Sequence, residues 1–159
     1  MTSVFQEQLA LFGLYQELRD DLMQVLSDTT LAFTPGGSAL TLGSLCREIG
    51  ETQQSYLDSF TSRQQDFRYR HPDPDIGTNL DRLRAWYAEL DDALATILTG
   101  FGPDDLVNAI IDRGGGFEVT IPMQLEIYKE ALLLFYGKAS IYLKVLQLEV
   151  HGRWQHWIG

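Results

Sequence analysis

The segment from Pro122 to about Leu148 constrains the fold more than any other part of this sequence. Pro122 suits the first turn of a helix, where its missing N–H is not needed. The residues after it are apolar on almost every side of a helix, as in the run ALLLFY at 131–136. A helix with this composition is either central to a bundle or covered by a partner. The segment therefore predicts a long helix that lies in the centre of the fold or associates with a second chain.

Three further segments show the periodicity of amphipathic helices. Helices are predicted over residues 3–26, 41–60 and 78–98, with Thr41 as the N-cap of the second and Thr78 opening a capping box for the third. Each segment places apolar residues on one helical face. The residues expected in the core are Phe5, Leu9, Phe12, Leu18, Leu22 and Leu26, then Leu42, Leu45, Ile49, Tyr56 and Phe60, then Leu80, Leu83, Tyr87, Leu90, Leu94 and Leu98.

The connections between these helices are rich in turn-forming residues. Residues 28–40 are predicted to be a loop, and the charged, proline-bearing stretch 68–77 a linker with no core of its own. Residues 100–121 contain a triple glycine and an alternating pattern that indicates a loop or a short hairpin arm. The aromatic tail 151–159 is expected to pack back as a short helical turn. The predicted fold class is therefore all-α, an antiparallel four-helix bundle formed by residues 1–159 as a single domain.

Charge and cysteine content narrow the possible functions. The 159 residues include 12 Lys and Arg against 22 Asp and Glu, a net charge of −10. This balance argues against a nucleic-acid partner and against an anionic membrane surface. The single cysteine, Cys46, excludes an internal disulfide. No signal peptide and no apolar stretch of membrane-spanning length is visible, so we expect a cytoplasmic protein.

Two stretches resemble a known family when they are taken in order. They are FTPGGSALTLGSLCREIGE at 33–51 and ALLLFYGK at 131–138. Together they are similar to the helix 1–2 passage and the fourth helix of the DinB/YfiT-like four-helix-bundle family, with Gly137 aligned to a glycine of that family. The resemblance implies a DinB-like bundle. Some members of the family catalyse metal-dependent, thiol-dependent transferase, isomerase or hydrolase reactions, and the resemblance implies this class of activity as one alternative for the present chain.

The resemblance also identifies a candidate site. Many family members hold a divalent metal with one histidine on the second helix and a pair four residues apart on the fourth. The matching positions here are Glu48, Ala131 and Phe135, none of which is histidine. We therefore expect no metal cofactor and a pocket at the vacated site, lined by these three residues and Lys138. Spacing places Lys138 on the same face as Ala131 and Phe135. Two interpretations of Glu48 remain open, a solvated helix face or a buried ion pair with Lys138.

Other residues with catalytic or ligating side chains have simpler interpretations. His71 is expected in a solvated loop, and His151 and His156 in the tail do not share a helical face. Glu51 is interpreted as part of a charged face with Glu48, and Cys46 as a small packed residue.

The function predicted from the sequence is small-molecule binding or homotypic interaction without metal chemistry, and the predicted assembly is a homodimer. One alternative is an enzyme of the family type that holds a divalent metal with carboxylates and tail histidines. Another is a purely structural or partner-binding subunit.

Overall fold

The computed structural model describes residues 3–159. Within that range the chain forms seven α-helices and one two-stranded hairpin, and a short 3-10 helix spans Ile76–Thr78. The helices and strands are α1 (Val4–Val25), α2 (Asp28–Leu31), α3 (Leu42–Ser62), α4 (Leu80–Thr99), α5 (Pro103–Asn108), β1 (Ile110–Asp112), β2 (Glu118–Thr120), α6 (Ile121–Leu146) and α7 (Arg153–Trp157). The prediction of an all-α four-helix bundle is confirmed, and of the loop or short hairpin expected over residues 100–121 the chain forms the hairpin, preceded by helix α5, which the sequence did not predict.

The four long helices α1, α3, α4 and α6 form the bundle. Helix α3 packs against both α4 and α6, and α1 packs against the same two helices from the other side. Their facing side chains form one continuous core. Among the core side chains that the sequence predicts, Leu18, Leu22, Leu42, Leu83 and Leu94 are fully buried. The amphipathic periodicity thus identifies the faces that meet in the core.

The connection predicted as a loop over 28–40 contains helix α2. Ser27 caps this helix, because its hydroxyl accepts a hydrogen bond from the Thr30 backbone N–H. Leu31 lies in the core with 1% of its surface exposed. A single turn is too short for helical periodicity to show, which is why the sequence pattern does not reveal it.

Two details of the connection before α4 also differ from the prediction. The N-cap of α4 is Asn79, whose side chain accepts a hydrogen bond from the Arg82 backbone N–H, so a capping box at Thr78 is wrong. Thr78 instead ends the 3-10 helix, and its hydroxyl donates to the Asp75 carbonyl. The linker also contributes to the core, because Ile76 is buried.

The segment between α4 and α6 contains helix α5 followed by the hairpin. Strands β1 and β2 pair antiparallel, with Ile111 opposite Val119, and both of these residues are buried. Three successive glycines at 114–116 have positive φ and form the turn. Glycine adopts that conformation without the steric cost that other residues incur.

The C-terminal tail packs on the bundle as predicted. Trp154 of α7 is buried, with its ring in an edge contact 5.4 Å from Tyr136. Arg153 forms ion pairs with Glu17 and Asp21 of α1. No helix in residues 3–159 has the length and apolar content needed to cross a bilayer.

Candidate functional site

A cavity of about 580 Å³ lies between α3 and the segment that follows it. We call it the polar cavity, because most of its lining residues are polar. Helix α3 contributes side chains at successive turns, and the segment after α3 contributes Phe67 and Arg70. The lining residues are Leu40, Ser44, Arg47, Glu48, Glu51, Thr52, Ser55, Phe67 and Arg70.

A buried carboxylate in the lining of the polar cavity holds the linker against α3. Glu51 is only 8% exposed, and its Oε1 accepts hydrogen bonds from Arg47 Nε at 2.7 Å and from the His71 backbone N–H at 2.9 Å. Arg47 also donates to the carbonyls of His71 and Pro74. The interpretation of Glu51 as part of a charged face with Glu48 is therefore wrong, because Glu51 is buried and Glu48 is exposed. It and Arg47 attach the linker to α3, and a buried charge of this kind needs such partners.

His71 also lies in a different environment from the predicted solvated loop. It is partly buried, and its ring centroid is 4.5 Å from that of Trp86. Burial, together with the nearby Arg47 cation, lowers the pKa of His71. The imidazole is therefore neutral at neutral pH and contributes packing to the linker rather than charge.

A second, smaller cavity adjoins the first. It has a volume of about 160 Å³, and we call it the apolar cavity because aliphatic and aromatic side chains form most of it. It lies between α3 and α6 and shares Glu48 and Thr52 with the polar cavity. Its lining residues are Leu45, Glu48, Ile49, Thr52, Ala131, Leu134, Phe135 and Lys138.

The structure brings the four residues of the predicted pocket to this one cavity. Ala131 and Phe135 lie one helical turn apart on α6, and Phe135 is buried. Glu48 and Lys138 lie at its rim, and both are exposed. Within residues 3–159 no ion pair joins their side chains, so the hypothesis of a buried ion pair is wrong. Water solvates both charges, which removes the need for a direct partner.

The residues at this position do not fit a metal of the DinB type. Alanine and phenylalanine have no ligating atom, so Glu48 is the one donor among the three matching positions. No group of three or more His, Cys, Asp or Glu side chains in the described part of the chain is arranged to hold an ion. The tail residues His151 and His156 are both exposed and do not join a carboxylate cluster there.

Cys46 is fully buried, and its thiol is not activated as a nucleophile. Burial raises the pKa of its thiol to about 12, and the Tyr87 hydroxyl donates a hydrogen bond to the Cys46 carbonyl at 2.5 Å. The prediction of a packed cysteine is confirmed, because a reactive thiolate requires a lowered pKa and access to solvent.

A buried polar network in the core was not predicted from the sequence. Arg19 of α1 has none of its surface exposed and donates to the Gln53 side chain of α3 and to Asp91 of α4, each at 2.5 Å. Gln53 in turn donates to Asp91 at 2.7 Å, and the guanidinium lies 4.2 Å from the centroid of the Tyr87 ring. Burial is the largest single influence on Arg19 and lowers its pKa, but the Asp91 carboxylate and the nearby hydroxyls of Tyr87, Tyr128 and Tyr136 together raise that pKa by more, so the net pKa of Arg19 is raised.

A sequence signal for this arginine does exist. Arg19 follows Phe12 and Tyr15 by seven and four residues and precedes Leu22 by three, which places it within the apolar face of α1. A permanently charged residue at such a position requires a buried counter-charge from another helix.

The fold and the cavities together define an all-α bundle with a two-part groove beside α3. Comparison with protein-family models gives no match, and no curated protein matches the sequence. The structure is similar to the crystal structure of a DinB-like protein, YjoA, from Bacillus subtilis. The sequences are 13% identical, the match covers 92% of this chain and 96% of that one, and the TM-score is 0.71. The chain therefore has a DinB-like fold, as the sequence resemblance implied.

Proposed function

We propose that this protein binds a small amphipathic molecule with an acidic group, in the groove formed by the two cavities, without a resident metal. The observation that supports the proposal is the junction of a polar and an apolar cavity at Glu48 and Thr52. A cleft with an apolar part and a few polar groups is the usual form of a small-molecule site. The apolar part of the ligand would contact Ala131 and Phe135, and its polar end would face Thr52.

The charges at the groove favour an anion. Arg47 and Glu51 already pair with each other. Of the remaining charged side chains, Arg70 and Lys138 are cations and Glu48 is the one anion. Arg70 is well exposed; it forms a longer ion pair with Glu51, with Nε 3.8 Å from the carboxylate, and its guanidinium donates to the carbonyls of Phe67 and Tyr69. The groove residues still carry three cations against two anions. An acidic group on the ligand would therefore find more positive than negative charge within reach.

The binding test uses 1-anilinonaphthalene-8-sulfonate, which has an apolar ring system and one acidic group. We expect a saturable fluorescence increase with one strong site per chain. Ala131→Trp would fill the apolar cavity and abolish that site, whereas Ala88→Trp adds the same side chain on the exposed side of α4 and should leave binding unchanged. Lys138→Glu should weaken binding several-fold without filling the cavity. Circular dichroism would check that each variant is folded.

Equal binding by Ala131→Trp, Ala88→Trp and the unmodified chain would overturn the proposal, because the dye would then lie elsewhere. An unchanged affinity of Lys138→Glu would overturn the preference for an acidic group.

We also propose a homodimer and a cytoplasmic location. Self-association is supported by the apolar side chains that α6 leaves exposed, among them Leu134 and Ile141. A cytoplasmic location is supported by the free, buried thiol of Cys46, which is compatible with a reducing compartment.

A further inference from the structure

Helix α6 has one face that nothing in the described part of the chain covers. We call it the α6 face and define it by seven exposed residues: Glu130, Leu133, Leu134, Gly137, Ile141, Lys144 and Val145. Leu134 and Ile141 are 69% and 60% exposed. These residues recur at spacings of three and four and therefore share one side of the helix. Contiguous exposed apolar side chains of this kind are a feature of interaction surfaces.

Gly137 lies in the middle of the α6 face and has no packing role in the single chain. A Cβ atom added to it would meet nothing within 4 Å, and its backbone has no special conformation. Glycine within a helix is unfavourable relative to alanine, so the position weakens α6 without a benefit inside the bundle. A benefit appears when a second helix crosses here, since the missing side chain lets two backbones approach closely.

The charges on the α6 face are arranged symmetrically about Gly137. Glu130 precedes the glycine by seven residues, and Lys144 follows it by seven. Seven residues are almost two full turns, so both side chains lie on the same side of α6, each about 10 Å along the axis from the glycine. Within residues 3–159 neither side chain forms an ion pair. Leu133 and Ile141 are also placed symmetrically about Gly137, because Leu133 precedes it by four residues and Ile141 follows it by four.

We infer that two copies of this chain associate through antiparallel packing of their α6 helices, with a two-fold axis at Gly137. This arrangement places Glu130 of each copy opposite Lys144 of the other, and Leu133 opposite Ile141. A two-fold interface requires a surface that is complementary to itself, and the α6 face meets that condition in both charge and shape. A parallel pairing would instead place like charges opposite each other. The inference rests on the proposed self-association; the α6 face shares Leu134 with the lining of the apolar cavity but does not require a ligand there.

Charge reversal tests this arrangement, with molar mass measured by analytical ultracentrifugation. Glu130→Lys alone places like charges opposite each other in both symmetry-related pairs, and Lys144→Glu does the same with the opposite sign. We expect each variant to raise the dimer dissociation constant by about tenfold or more. Glu89→Lys is the matched control, because it makes the same change in net charge at an exposed position of α4. It should leave the dissociation constant unchanged.

Mixing the two single variants gives the sharpest result. In a mixed dimer every charge pair across the interface is attractive again, so a one-to-one mixture should dimerise as tightly as the unmodified chain. The double variant with both substitutions should do the same. Misfolding of the single variants cannot explain such a rescue, because mixing two misfolded chains would not restore a dimer.

Two outcomes would overturn the inference. A monomer at all concentrations would overturn both the arrangement and the proposed self-association. A dimer that neither Glu130→Lys nor Lys144→Glu weakens would overturn this interface and leave self-association in place through another surface.

Discussion

The buried ion pair of Arg19 and Asp91 allows a quantitative prediction of how a substitution changes the free energy of unfolding of the bundle. Arg19 is fully enclosed, and Asp91 is its nearest carboxylate at 2.5 Å. Asp91→Ala would leave the guanidinium buried without a counter-charge. Removal of one partner of a buried ion pair costs about 3–5 kcal/mol in free energy of unfolding. The substitution would also remove the acceptor for Gln16 and Gln53.

The position of Asp91 decides where in that range the value should fall. Its side chain is 24% exposed, so water can reach the space that the carboxylate vacates and hydrate part of the charge. We therefore expect Asp91→Ala to cost about 3 kcal/mol, at the lower end of the range. The free energy of unfolding of a native domain is about 5–15 kcal/mol in total, so a change of this size is readily measured.

A double substitution separates the charge effect from the loss of contacts. Arg19→Met with Asp91→Ala removes both charges and keeps an apolar side chain in the core. Replacement of a whole buried pair by apolar groups is often close to neutral, but here it also leaves the buried Gln53 amide without its two partners. The double variant should still be more stable than Asp91→Ala alone, because no unpaired charge remains in the core. The double variant should therefore recover part of the about 3 kcal/mol that Asp91→Ala costs.

Urea unfolding followed by circular dichroism gives the required free energies by linear extrapolation. Asp92→Ala is the matched control, since Asp92 is the next residue on α4 and is exposed. It should change the free energy of unfolding by less than about 0.5 kcal/mol. The reasoning fails if Asp91→Ala costs as little as Asp92→Ala, or if the double variant is no more stable than Asp91→Ala.

Three further results should follow from the structure. At pH 8 the thiol of Cys46 should react with Ellman's reagent about a thousandfold more slowly in the native state than in urea, because its pKa is about 12; comparable rates would contradict this burial. Gly50→Ala should cost about 1–3 kcal/mol in free energy of unfolding by urea, because the new Cβ would lie 2.4 Å from Trp86. Gly137→Ala, made together with Ile141→Asp so that a charge on the α6 face keeps the chain monomeric, should be neutral or stabilising relative to Ile141→Asp alone; an equal cost at both positions would contradict the packing. Elemental analysis after expression in metal-supplemented medium should find less than one equivalent of transition metal, and a tightly bound equivalent per chain would contradict the proposal of a groove without a resident metal.

The long helices were predictable from the sequence because each has an amphipathic pattern several turns long. The predicted ends of α1 differ from the observed ones by one residue at each terminus, and α6 ends two residues before the predicted Leu148. Gln147 ends that helix with a φ of 57°, a left-handed conformation that only a few non-glycine residues adopt. Nothing in the local sequence marks it as a helix end, since the usual signal there is glycine.

Contacts between distant residues account for most of what the sequence did not predict. The Glu51 carboxylate is buried because the linker lies over it, and its partners are Arg47 on its own helix and the His71 backbone twenty residues away. The second of these contacts depends on the path of the linker, which periodicity cannot describe. Arg19 is a similar case, since the residues that stabilise its charge belong to α3 and α4.

Glu48 and Lys138 show how helical geometry limits an argument from sequence position. Both residues lie at the edge of their helix's apolar face, where a small rotation decides between the core and water. Each is adjacent to a buried neighbour, Ile49 in α3 and Ala139 in α6, and neighbours along a helix differ by about 100° in direction. Burial of the pair would require two desolvation penalties, which the attraction between the charges does not reliably offset. Exposure avoids both penalties and costs at most the modest energy of a surface ion pair. The apolar cavity therefore keeps Ala131 and Phe135 in its lining and leaves both charges at its rim, where they remain free to contact a ligand.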